Sequence, residues 1–318
     1  MKRLGIILFF DKDGVVDDYF VYYVKKLRPF YDELCIVVNE FLNPTGVKIL
    51  TQLSDKLIIR KNVGMDVMAY KQAIESYGFD NIKQYDEMLL TNYTCFGPFY
   101  PLSEMFDTMD SKHDIDFWSV FKWPIDKKDV IGIDKDPITY DHLPSFFISY
   151  RKSLLQSEHF KKYWMTLPKI VTYMDSCIYH ERRQTPYFEN LGFKSGSYID
   201  ITKYKNKVSY FPYICATNLI KNDRCPFIKR RQFFIVNKNF PFSYDNMLPV
   251  IKFLKKKKLY DVSMIKNNII RTQDVDSLPR RKRFSYYWKL FLKIVFFKKH
   301  DVKHKNVITK KDFINAFK

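Results

Sequence analysis

Arg60, Asn62, Gly64, Asp66 and Lys71 crowd into one short stretch that leaves an apolar run, turns, and continues with helical spacing. An arginine, an amide, a turn glycine and a carboxylate so placed have the chemistry to hold a phosphorylated ligand such as a sugar nucleotide. The planar fork of Arg60 can bind two phosphate oxygens at once, which makes it the natural pyrophosphate partner. Asn39 and Glu40 follow an earlier apolar run in the same way, where polar groups can read a base or ribose. A structural reading stands beside this one. Asn39 and Asn62 could close turns, Gly64 could supply a positive φ, and Arg60 could form a surface ion pair.

The elements that must position these residues alternate along the chain. Leu4 to Phe10 reads as a strand, Asp17 to Arg28 as a helix, and Glu33 to Val38 as a second strand. Lys48 to Leu53 reads as a short helix, Lys56 to Arg60 as a third strand, Val67 to Tyr77 as a helix and Met88 to Asn92 as a fourth strand. Such alternation with short connections implies a mostly parallel α/β sheet flanked by helices, with ligand groups at the carboxyl ends of the strands. Cys95-Phe96-Gly97-Pro98-Phe99-Tyr100-Pro101 breaks the pattern with an aromatic loop. Asp116 to Trp123 and Ser145 to Arg151 are further strand candidates, and Glu158 to Leu167 and Met174 to Leu191 read as helices.

Composition narrows the classes. The 318 residues suffice for one large domain or a domain with an appendage, and the net charge is +19. That charge is uneven: Pro279 to Lys318 holds thirteen Lys or Arg against two Asp, a local +11, which leaves +8 for the rest. An AT-rich genome would explain the overall excess of Lys, but not its clustering. Five scattered cysteines without Cys-x-x-Cys or Cys/His spacing argue against zinc and for reduced thiols in the cytoplasm. The apolar run after Met1-Lys2-Arg3 stops at Asp11-Lys12-Asp13 and reads as a first strand rather than a signal peptide. No apolar run approaches the length of a membrane span.

The motifs then fall in a recognisable order. Phe9-Phe10-Asp11-Lys12-Asp13-Gly14-Val15-Val16-Asp17 comes first, followed by Arg60-Lys61-Asn62-Val63-Gly64-Met65-Asp66. Next come Tyr85-Asp86-Glu87-Met88-Leu89-Leu90-Thr91-Asn92, Phe96-Gly97-Pro98, Asp116-Phe117-Trp118 and His142-Leu143-Pro144-Ser145-Phe146-Phe147. Tyr179-His180-Glu181, Thr185-Pro186-Tyr187-Phe188, Gly192-Phe193, Cys225-Pro226-Phe227-Ile228-Lys229-Arg230 and Tyr260-Asp261 complete it. Over roughly the first 270 residues this series resembles the rhamnan synthesis F proteins, glycosyltransferases of bacterial cell-wall and O-antigen polysaccharide assembly. The resemblance implies a glycosyltransferase-A-like (Rossmann-like) fold, a nucleotide-sugar donor, an inverting reaction and, by the family name, rhamnose, with dTDP-rhamnose as the expected donor and a lipid-linked glycan as acceptor.

It also implies roles. The donor group becomes Asn39, Glu40, Arg60, Asn62, Gly64, Asp66, Lys71, Asn92 and Thr94. Asn92-Tyr93-Thr94 stands where such enzymes usually carry an acidic metal motif, and Tyr93 replaces the acid. Magnesium or manganese prefers carboxylate oxygens, so either Asp66 or Asp86 holds a cation, or Arg60 and Lys71 neutralise the pyrophosphate without one, or activity has been lost. Glu181, on a helix ahead of Phe188 and Gly192-Phe193, is placed like the acidic helix of inverting family 2 glycosyltransferases and is the candidate general base. A helix-surface Glu paired with basic neighbours is its plain alternative. His142 and Ser145 could line the acceptor groove, and Trp118 could stack on a sugar, although a lone His or Trp is commonly core. Cys225 to Arg231 could meet a lipid diphosphate or be solvated.

The expected organisation is a catalytic domain over residues 1–272 and a basic amphipathic tail over 273–318. Lys289 and Lys293 lie one above the other on a helix whose other faces are aromatic, which suits an anionic membrane surface better than a span. A peripheral position on the inner face of the cytoplasmic membrane follows, with docking on the protein's own body or a partner as the alternative. Nucleic acid is not expected, because no recognised module accompanies the charge.

Overall fold

In a computed structural model of the chain, residues 1–123, 141–204, 216–233 and 247–273 are described. They belong to two compact units, Met1–Ser209 and Tyr210–Lys318. The basic tail expected from 273 onward lies, beyond Gln273, outside the described residues.

The first unit is built on a seven-stranded sheet. Its strands are β1 (Arg3–Phe9), β2 (Glu33–Asn39), β3 (Lys56–Arg60), β4 (Glu87–Asn92), the two-residue β5 (Cys95–Phe96), β6 (Phe117–Phe121), β7 (Phe147–Arg151) and β8 (Ser195–Ile199). All but β5 enter the sheet, in the order β3-β2-β1-β4-β7-β6-β8, and only β7 runs against its neighbours. Helices α1 (Asp18–Leu27), α2 (Pro44–Leu53), α3 (Met65–Tyr77), α4 (Phe79–Ile82) and α5 (Leu102–Asp110) connect the first strands. This is the mostly parallel α/β sheet flanked by helices that the sequence implied.

The central strands form because they are continuous apolar runs, as strands covered on both faces must be. Every residue of β1 and β4 is buried. Leu4, Ile6 and Leu8 pack with Val67, Tyr70 and Ile74 of α3, whereas Phe9 meets Phe20 of α1 on the other face, ring centroids 4.5 Å apart. Fully burying a side chain of this size contributes about 1.5–3 kcal/mol. Helix α2 begins at Pro44, earlier than the apolar spacing indicated, because Pro44 occupies its first turn and Asn43 caps it by accepting the Gly46 N–H at 2.7 Å.

The amino ends of the strands are tied by a buried charge network. Glu87, fully buried, accepts from Arg3 Nε at 3.2 Å and from the Trp118 indole N–H at 2.9 Å, and lies 3.7 Å from Arg151 Nε. Arg3 also pairs with Asp110. Trp118, expected to stack on a sugar, is therefore a core residue whose polar edge is already used. Its ring packs edge-on against Phe106 of α5.

After β7 come α6 (Lys152–Leu155), α7 (Glu158–Met165), α8 (Tyr173–Ser176), a π turn (Cys177–Glu181) and α9 (Arg182–Asn190). The single helix expected from Met174 to Leu191 is thus interrupted. Pro186 lies inside α9 and has no N–H for the Arg182 carbonyl, so the interruption sits where the hydrogen-bond ladder is already weakened.

In the second unit, helices Ala216–Asn222, Met247–Lys256 and Val262–Thr272 carry the described core, including Leu219, Ile251, Leu254 and Ile265. Arg230, from the basic cluster after Cys225, is buried there and donates from Nε to Asn268 at 3.0 Å. At least this arginine is neither solvated nor open to a lipid diphosphate.

Candidate functional site

The register of the sheet decides which residues meet. Asn39 lies opposite Arg60, and Asn92 opposite Leu8, so β1, β2, β3 and β4 end together. The chain leaves β1 and β4 in opposite lateral directions, and in open α/β sheets the crevice at such a switch point receives ligands. Because β7 runs antiparallel, with Phe147 opposite Thr91, the segment leading into it arrives at this same end. That segment carries His142 and Ser145.

The loop into α3 needs an unusual backbone. Gly64 has φ of +76°, and Met65 follows at +56°. A Cβ on Gly64 would lie 2.1 Å from Met68 Cγ, so both conformation and space call for glycine here. Asp66 then sits in the first turn of α3, 3.4 Å from the Asn92 amide that donates to it. Asn92 Oδ1 in turn accepts the Thr94 N–H at 3.2 Å and the Thr94 hydroxyl at 2.5 Å. Asp66, Asn92 and Thr94 form one polar cluster at the end of β4.

The rest of the expected donor group is knit to itself. Arg60 donates from Nε to Gln72 at 2.8 Å, from one terminal nitrogen to Asn39 at 2.6 Å, and from the other to the Val63 carbonyl at 2.7 Å. Asn39, nearly fully buried, also donates to the Met65 carbonyl, and Glu40 accepts the Asn62 N–H at 3.1 Å. Lys71 Nζ lies 3.9 Å from Glu75, one turn further along α3. The fork of Arg60 is thus oriented by three protein acceptors and shapes the loop.

Tyr93 joins an aromatic cluster. Its ring is 6.1 Å from both Phe9 and Phe10, and its carbonyl accepts the Tyr19 hydroxyl at 3.1 Å. Asp86 is at the wrong end. It precedes β4, about 20 Å from Asn92 at roughly 3.3 Å per residue, and it binds Lys152 Nζ and the Lys2 N–H at 2.9 and 2.7 Å. The Lys152 bond, ahead of the Lys2 bond, holds its carboxyl below the usual range. The cluster of Asp66, Asn92 and Thr94 offers one carboxylate to a cation, and the described residues contain no group of three or more His, Cys, Asp or Glu able to hold a metal.

The second cluster centres on Glu181, the last residue of the π turn. One carboxylate oxygen accepts both the Ser145 hydroxyl, at 2.6 Å, and the Ser145 N–H, at 3.2 Å. The other lies 3.9 Å from His142 Nε2. Four residues on, Thr185 Oγ accepts the Leu143 N–H at 2.9 Å, so one helical face grips the 142–145 segment twice. The Glu181/Thr185 spacing was legible in the sequence and passed unused. His180, beside Glu181, is fully buried against Trp164 and bonded through Nδ1 to the Tyr163 hydroxyl at 2.9 Å. Burial lowers its pKa to about 4, only partly countered by Glu181, so it stays neutral.

Cys177 stands at the other end of the π turn. Burial pushes its thiol up to about 11, followed by the negative charge of Glu181 and, more weakly, that of Asp66. Helix α3, with Asp66 in its first turn, packs on α8, which runs directly into the π turn that ends at Glu181. Sequence reading gave Cys177 no role.

The chain thus has an open, mostly parallel α/β sheet with polar clusters at the carboxyl ends of its strands. The chain matches the family described as Rhamnan synthesis protein F over residues 34–311 and belongs to that family. No curated protein matches it. Among solved structures it is similar to glucosyl-3-phosphoglycerate synthase from Mycobacterium tuberculosis, at 11% identity and a TM-score of 0.36, over 70% of this chain and 81% of that one. A structure of that enzyme with Mn2+, UDP-glucose and phosphoglyceric acid matches at 10% identity and a TM-score of 0.31, over 48% and 57%. A structure described as that of a mycobacterial protein matches at 9% identity and a TM-score of 0.30, over 48% and 54%. The chain spans a little over half the length of most of these structures.

Proposed function

We propose that the protein is a glycosyltransferase that transfers a deoxyhexose, rhamnose from dTDP-rhamnose, to a lipid-linked cell-surface polysaccharide at the inner face of the cytoplasmic membrane. The observation that carries this reading, beside membership of the rhamnan synthesis family, is the packing of α3, which bears Asp66 in its first turn, on α8, which runs into the π turn that ends at Glu181. The first cluster offers an amide, a hydroxyl and a carboxylate to ribose or sugar hydroxyls, while neighbouring backbone is fixed by Arg60. The second offers a carboxylate held in place by Ser145. In the reaction Glu181 takes the proton of an acceptor hydroxyl while that oxygen attacks the anomeric carbon, and the bond from that carbon to the nucleoside diphosphate breaks, releasing the diphosphate. His142, whose Nε2 is 3.9 Å from Glu181, is assigned to the acceptor hydroxyl in this reading. No described helix is long and apolar enough to cross a membrane, which fits a peripheral position.

A second reading is a non-catalytic subunit of a polysaccharide-synthesis complex. It is favoured by Tyr93 in the aromatic cluster and by the prior engagement of Arg60. A donor screen separates the two, with thermal shift and sugar release measured for dTDP- and UDP-sugars with and without manganese. Stabilisation and release with dTDP-rhamnose support the enzyme. Neither response with any donor leaves the non-catalytic subunit.

A further inference from the structure

Six of the exposed large apolar side chains of the first unit lie on two segments that carry the candidate site. Val63 is 59% exposed and Met65 36% on the loop into α3, while Val171 is 61%, Tyr173 55%, Ile178 45% and Tyr179 38% exposed between α7 and the end of the π turn. The two segments adjoin. A Cβ on Gly64 would come within 3.3 Å of the Ile170 carbonyl, and α3 packs on α8. A surface of apolar residues grouped in this way is expected to be covered by a partner.

The chemistry of the surroundings narrows that partner. Lys61, Lys169 and Arg183 are exposed along the same two segments. Nearby carboxylates are turned to other work. Asp175 accepts the Val171 and Thr172 N–H groups, Glu40 accepts the Asn62 N–H, and Glu181 accepts Ser145. Apolar and tyrosine side chains interleaved with cations match the boundary layer of an anionic bilayer.

We propose that this collar seats the mouth of the site directly on an anionic phospholipid surface, independently of the basic tail. The proposal rests on the glycosyltransferase reading, since it brings the Glu181 cluster to an acceptor held in lipid. Such contact admits an amphiphilic acceptor from the membrane side while the soluble donor enters elsewhere.

The test uses the full chain carrying Val171→Asp and Ile178→Asp together. Flotation with phosphatidylcholine vesicles, with and without phosphatidylglycerol, is compared with the unsubstituted chain. Binding to the anionic vesicles should fall at least about tenfold, and hydrogen exchange in residues 169–180 of the unsubstituted chain should slow when those vesicles are added. Unchanged flotation, or exchange that ignores the vesicles, overturns the proposal. So does a substitution that instead dissolves a dimer in sedimentation, because the collar would then cover a second copy of the chain. Transfer to a water-soluble acceptor, measured on both proteins, separates the two ideas. A chain that binds vesicles through the collar yet never transfers sugar removes the glycosyltransferase reading alone.

Discussion

Ser145 gives both its backbone N–H and its hydroxyl to the same oxygen of Glu181, at 3.2 and 2.6 Å. The carboxylate is therefore aimed by its neighbour, leaving its second oxygen toward His142. A hydrogen bond to a charged group is worth about 1.5–3 kcal/mol. Ser145→Ala should then lower the transfer rate by roughly 10- to 100-fold, with donor affinity from calorimetry unchanged. Unaltered turnover would mean that Ser145 does not orient the reacting group.

Glu87 anchors the opposite end of the sheet. Removing it leaves Arg3, Arg151 and the Trp118 N–H without their buried partner. Breaking such a pair from one side costs about 3–5 kcal/mol. Glu87→Ala should show that loss in urea unfolding, while the surviving folded fraction binds donor normally.

Gly64 should tolerate no side chain. Gly64→Ala forces a left-handed backbone on alanine and pushes its Cβ into Met68. A loss of about 1 kcal/mol or more is expected, together with weaker donor binding as Asp66 shifts. Thermal melts and titration calorimetry on the same protein check both.

His180 gives the fold a pH dependence of known sign. Its folded pKa is about 4, below the usual value of 6.5, because it is buried. The unfolded chain therefore takes up a proton first, and stability falls as pH drops from 6.5 toward 4. Below 4 the folded form also protonates and this contribution stops changing. In urea midpoints measured across that window, His180→Gln should flatten the slope while lowering stability throughout.

Cys177 should report occupancy of the site. With its thiol pushed up to about 11, alkylation at neutral pH is slow, and a bound donor beside Asp66 should slow it further. Peptide mapping after timed iodoacetamide treatment, with and without nucleotide sugar, gives the answer. Equal labelling would place the donor away from the π turn.

Much of the frame was legible because buried parallel strands are local signals. Lys56 to Arg60 was bounded as it stands, and β1, β2 and β4 to within a residue or so, since each is an apolar run between polar turns. What could not be read was strand order. Nothing near Phe147 says that β7 runs antiparallel beside β4, yet that placement delivers Ser145 and His142 to Glu181. The Arg60 group stands out in the sequence, but side-chain identity does not reveal that Asn39, Gln72 and the Val63 carbonyl accept from its fork. Asp86 is different. A residue that precedes a parallel strand must lie at its amino end, so sequence alone should have excluded it from the site.

The most direct test of the account is Glu181→Gln in the full chain, assayed for sugar transfer from dTDP-rhamnose with donor binding measured in parallel. The glycosyltransferase reading predicts that transfer disappears while binding persists, since the amide keeps the shape but cannot accept the acceptor's proton. Transfer at the unsubstituted rate would contradict it and leave Glu181 as a structural tie between the π turn and Ser145.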